Sequence, residues 1–68
     1  MRVVLNGAER VLADDAKVAD AVAASGASPA GSGIAVAVDG EVIPRGQWSA
    51  TTLCDGQAIE VLQAVQGG

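Results

Sequence analysis

Three Asx-Gly dipeptides, Asn6-Gly7, Asp39-Gly40 and Asp55-Gly56, punctuate a chain of 68 residues. Glycine enters positive φ without steric cost, and Asn and Asp tolerate it, so these pairs mark tight turns. The segments beside them alternate in the manner of strands. Arg2 to Leu5 puts Val3 and Leu5 on one face, and Glu9 to Leu12 returns after the Asn6-Gly7 turn. Ile34 to Val38 buries Ile34, Val36 and Val38, and Glu41 to Ile43 follows Asp39-Gly40 until Pro44 ends it. After Asp55-Gly56, Ala58 to Ala64 turns Ile59 and Val61 inward and Leu62 to the opposite face.

One segment has helical spacing instead. Over Lys17 to Ser25, Val18, Ala21 and Val22 recur at i, i+3 and i+4, and Ser25-Gly26 supplies a stop. Lys17 lacks the side-chain acceptor of a good cap, which costs about 1 kcal/mol unless Asp15 takes over. Residues 27–33 form a small-residue surface loop, and Arg45 to Thr52 is irregular. The order is hairpin, helix, then more strands. That is not the alternating βα pattern of a doubly wound sheet. It fits an α+β domain: a mixed sheet packed on one face by one helix, with the first and last strands side by side at its centre. The domain spans residues 1–64, and 65–68 form a flexible C-terminal tail.

Half of the residues are apolar, yet Trp48 is the only aromatic, so the core must be built from Val, Leu, Ile and Ala. Eight acids against four scattered bases give a net charge of −4. With no basic stripe, the chain lacks the footprint of a nucleic-acid binder, and an anionic membrane would repel it. A basic partner surface would attract it. No apolar run approaches a membrane span, and the opening residues lack a signal-peptide layout. One cysteine allows no internal disulfide, so a cytoplasmic location is the default expectation.

The sequence ends in Val65-Gln66-Gly67-Gly68. Two glycines are costly to order and bring nothing to packing. They suit a narrow slot and leave the carbonyl uncrowded. The expectation is that the Gly68 carboxylate is itself the reactive group, worked on by another protein. Fully extended, Val65 to Gly68 spans roughly 13 Å.

The element order with terminal Gly-Gly resembles the β-grasp fold of ubiquitin-like proteins. The run from Ile34 through Asp39-Gly40, Val42, Pro44-Arg45 and Trp48, followed by Leu53, Asp55-Gly56 and the Gly-Gly end, is similar to the ThiS family of sulfur carriers in thiamine biosynthesis. Three positions depart from the family pattern, the first being Lys17, which sits where Thr or Ser often caps the helix. Asp39 replaces a frequent Asn, and Gln57 stands where an acid commonly follows Asp-Gly.

The resemblance implies a chemistry. A carboxylate is a poor electrophile and needs a leaving group. In the family, a ThiF-like, E1-like adenylyltransferase uses ATP and magnesium to make the Gly68 acyl-adenylate. A persulfide sulfur donor then displaces AMP, leaving a thiocarboxylate, and the thiazole synthase ThiG takes the sulfur. The chain itself would bind no metal or nucleotide and would be a protein co-substrate, not an enzyme. Leu62, Val65 and Arg45 are the expected partner contacts beside Gly67 and Gly68. Leu62 has a second reading, as filler of a gap on the sheet's other face.

Other residues carry paired readings. Cys54 could hold a persulfide, but no basic neighbour in sequence would activate it, and a small buried apolar role is the preferred expectation. Trp48 could pair with Arg45 for recognition or lid a core that lacks other aromatics, and the second is preferred. Asp14-Asp15 reads as a solvated turn rather than a metal pair. No histidine exists, which removes Ser-His and Cys-His catalysis. Three rival functions remain: a carrier for molybdopterin synthase, a ubiquitin-like modifier forming isopeptides, and a plain interaction domain.

Overall fold

The computed structural model describes residues 1–27 and 33–64. Five strands and one helix follow in the order β1 (Arg2–Leu5), β2 (Ala8–Val11), α1 (Val18–Ala24), β3 (Ile34–Val38), β4 (Glu41–Val42) and β5 (Ala58–Gln63), with a 3₁₀ turn at Arg45–Gln47. The strands form one sheet in the order β2-β1-β5-β3-β4. The first and last strands pair in parallel at its centre, Val4 opposite Ala58 and Leu5 opposite Ile59. All other pairings are antiparallel. The expected mixed sheet is therefore present. Element ends differ from the expectation by a residue or two: β2 covers Ala8–Val11, β4 stops at Val42, and β5 at Gln63.

The turns follow their residue chemistry. Asn6 and Asp39 adopt φ of 51° and 49°, and Gly7 and Gly40 follow at 80° and 84°. Positive φ at both central residues gives a twist that matches the flanking strands.

One sheet face packs on α1. Val3, Leu5, Val36, Val38, Ile59 and Val61 meet Val18, Ala21 and Val22 in a single buried cluster, closed by Ala16, Trp48 and Leu53. Ile34 is only half-buried, because it lies at the end of β3 where the core thins. Trp48 is 6% exposed, and its Nε1–H donates to the Ile43 carbonyl at 2.9 Å. The preferred reading of Trp48 as a core lid is thus correct.

The helix start solves the capping problem in another way. Asp20, not Asp15, accepts the Lys17 backbone N–H, at 2.7 Å. The free N–H groups of Val18 and Ala19 donate to the carbonyls of Thr51 and Trp48 at 2.9 and 3.1 Å. Carbonyls from a distant loop do the work of a cap side chain. At the other end, Arg10 reaches across from β2 and donates to the Ala24 carbonyl at 3.3 Å. A cation there suits the negative end of the helix dipole.

Candidate functional site

Everything that leads to the C-terminus runs through β5. Five residue pairs with β3, from Ile34–Gln63 to Val38–Ile59, hold one side. On the other side β1 pairs only as far as Ile59, and there the Asn6 side chain continues the ladder. Its Oδ1 accepts the Val61 N–H at 2.8 Å, while the Asn6 backbone N–H donates to the Ile59 carbonyl at 2.9 Å. The Asp55-Gly56 turn pins the start of the same pairing. The Arg2 N–H donates to Asp55 Oδ1 at 2.8 Å, and Gly56 N–H to the Arg2 carbonyl at 2.7 Å.

Past β5, the Ala64 N–H donates to the Gly33 carbonyl at 2.8 Å. Gly33 has a φ of 79°, and a Cβ there would lie 2.8 Å from the Ala64 Cβ. Only glycine fits so close an approach in that backbone conformation. Gly67, Gly68 and Val65, three of the expected site residues, lie outside the described residues.

Leu62 is 65% exposed on the face opposite α1, which favours the contact reading over the gap-filling one. Register and alternation place it with Ala35, Ala37, Ala58, Glu60 and Val4 on that outer face. Between β1 and β5 this face holds an open groove of about 550 Å³, bordered by Val4, Asn6, Ala58, Glu60 and Leu62. Arg2 and Glu9, paired across β1 and β2 at 3.6 Å, flank it; both are exposed, and such a pair contributes little. Arg45 sits elsewhere, at the start of the 3₁₀ turn beyond β4, 5.3 Å from the Trp48 ring centroid. Leu62 and Arg45 thus belong to separate elements.

Cys54 corrects an expectation. It is exposed, not buried. It sits just before the Asp55-Gly56 turn, where Gln57 Oε1 takes its backbone N–H at 2.7 Å and the chain is committed to the surface. Asp39 and Gln57 meet in space. Gln57 Nε2 lies 3.4 Å from Asp39 Oδ2, and Asp39 Oδ1 accepts the Ala58 N–H at 2.9 Å. An amide donor on Gln57 thus faces a carboxylate acceptor on Asp39. Asp14, exposed in its turn, accepts from the Met1 ammonium at 2.9 Å. That hydrogen bond, and secondly the ammonium's charge, hold its carboxyl below the ordinary value. Among the described residues no three acidic, Cys or His side chains group as metal ligands, and no helix is long and apolar enough to cross a membrane.

A five-stranded mixed sheet with parallel central strands and one helix across a single face is the β-grasp architecture of ubiquitin-like proteins. Comparison narrows the class. Residues 3–68 match the ThiS family, and the chain belongs to it. It is similar to the crystal structure of the thiamine biosynthesis protein ThiS from Geobacter metallireducens, at 31% identity and a TM-score of 0.77 over the whole of both chains. The solution NMR structure of a thiamine biosynthesis protein from the same organism matches at 31% identity and a TM-score of 0.78, covering all of this chain and 88% of that one. No curated protein matches.

Proposed function

We propose that this chain is a sulfur carrier for thiazole formation in thiamine biosynthesis, acting through the carboxylate of Gly68. Membership of the ThiS family through residue 68 carries the reading. The fold is consistent with it, since β5, the strand that precedes the tail, is held by neighbours on both sides.

The carboxylate attacks the α-phosphate of ATP on a ThiF-like adenylyltransferase, pyrophosphate leaves, and an acyl-adenylate forms. Magnesium on that partner offsets the phosphate charge. The terminal sulfur of a persulfide then attacks the carbonyl and AMP departs. A thiol cleaves the S–S bond, which leaves the thiocarboxylate. ThiG accepts the sulfur and the carboxylate returns. This chain supplies the acyl group and the docking surface, and the partners supply the catalysis.

Residues 65–68 serve as the tail that enters the partner's site. Leu62 and Val65 are apolar contacts at its base, and Arg45 a polar contact farther off. A tail of four residues offers little binding surface of its own, so affinity must come from the globular face, which is where exposed Leu62 contributes.

Intact mass spectrometry after incubation with the adenylyltransferase, ATP, magnesium and a persulfide donor tests the reading. The expected product is heavier by the exchange of one oxygen for sulfur, and loses that gain when ThiG and its substrates are added. Deleting Gly68 should abolish the gain with no change in thermal unfolding. A ladder of conjugates to other proteins, or transfer only to a molybdopterin synthase subunit, would refute it.

A further inference from the structure

The groove beside β5 contains one charge. Glu60 is exposed in the middle of the strand's outer edge row, between Ala58 and Leu62, with Ala37 directly opposite on β3. Val4 closes the far side. Among the described residues the Glu60 carboxylate makes no ion pair or hydrogen bond, whereas that of the neighbouring Glu9 lies 3.6 Å from Arg2. The carboxylate is exposed and framed by Ala58, Ala37, Val4 and Leu62. A docked partner would take it out of water, which is unfavourable unless the partner supplies a counter-charge.

We propose that Glu60 selects the partner: the groove takes a lysine or arginine from a basic, apolar-rimmed protein surface. The aliphatic stem lies over Leu62 and Val4, and the charged head meets the Glu60 carboxylate. Charge complementarity fixes this occupant. The chain carries a net charge of −4, so a basic surface is drawn to it. A second copy of the chain would carry the same net charge and bring the same carboxylate to this face. An acidic or neutral partner would leave the carboxylate buried and unpaired.

The inference rests on the sulfur-carrier reading for the identity of the partner, the adenylyltransferase from the same source. Binding is measured by calorimetry, with the wild-type chain, Glu60→Gln, Glu60→Lys and Ala37→Arg, at low and high salt. Glu60→Gln should raise Kd about tenfold at low salt and much less at high salt, and Glu60→Lys more than that. Ala37→Arg leaves Glu60 in place but offers it a cation from within, and should also weaken binding. Thermal melts confirm that each variant is folded.

If wild type binds and Glu60→Gln and Ala37→Arg stay within twofold of it, the groove assignment is wrong while the carrier reading stands. A concentration-dependent dimer of the isolated chain that Glu60→Lys disrupts would assign the groove to a second copy and overturn the proposal. If wild type neither binds nor gains sulfur, both readings fail together.

Discussion

The contact between Gly33 and Ala64 can be weighed against two other glycines in the same molecule. Gly46 has an ordinary backbone and open space where a Cβ would go, Gly26 has φ of 85° with open space, and Gly33 has φ of 79° with Ala64 2.8 Å away. Alanine at each position therefore separates three effects. At Gly46 only the unfolded chain changes, and the loss of its freedom should stabilise by about 0.4–1 kcal/mol. At Gly26 the left-handed conformation adds a cost of roughly 1–2 kcal/mol for a residue with a Cβ. At Gly33 the same cost applies, and Ala64 must also move, at about 1 kcal/mol more. Moving it loosens the Ala64 N–H bond to the Gly33 carbonyl, which is the last described bond before the tail. A domain of this size shifts by roughly 4–8 °C per kcal/mol, so the ladder is readable by thermal unfolding. The expected order of stability is Gly46→Ala, wild type, Gly26→Ala, Gly33→Ala. Equal melting of Gly33→Ala and Gly26→Ala would refute the close approach, and a Gly26→Ala variant as stable as Gly46→Ala would refute the backbone argument itself.

Three further outcomes are expected. Trp48→Ala removes the largest buried side chain and its bond to Ile43, at about 3–5 kcal/mol, enough to unfold much of so small a domain in a urea titration. Gln57→Glu should cost a few tenths to about 1 kcal/mol, because it sets a second carboxylate against Asp39. Adding Asp39→Asn should recover it in a double-mutant cycle, and additivity would show that the two side chains do not interact. Asp14 governs an acid-side dependence. Its folded carboxyl titrates below its ordinary value near 3.8, so its contribution is present above that value and is lost as pH falls through the lower folded one. Asp14→Asn should flatten the stability profile below about pH 4 relative to wild type, as read from melts across that range.

Much of the sheet was legible because its signals are local. Asx-Gly pairs announce turns, and two-residue alternation assigns faces, so Val3, Leu5, Ile59 and Val61 point inward as expected. The central pairing of first and last strands followed from element order. What escaped depends on register between distant segments. Asn6 reads as a turn residue, and nothing nearby says that its side chain also meets Val61, 55 positions on. Lys17 reads as a poor cap until residues 48–51 are seen to supply carbonyls. Cys54 was misplaced because its residue type favours burial, whereas the turn beside it exposes the side chain. The groove became visible only once β1 and β5 were side by side.

The position of β5 bears on biosynthesis. The hairpins β1–β2 and β3–β4 have no mutual contact in the sheet; the final strand is the bridge between them. A ribosome delivers that bridge after both hairpins, so the nascent polypeptide has no complete sheet to settle into until residues 58–63 have been added. A product cut short before residue 58 lacks the bridge, stays open and is exposed to proteolysis.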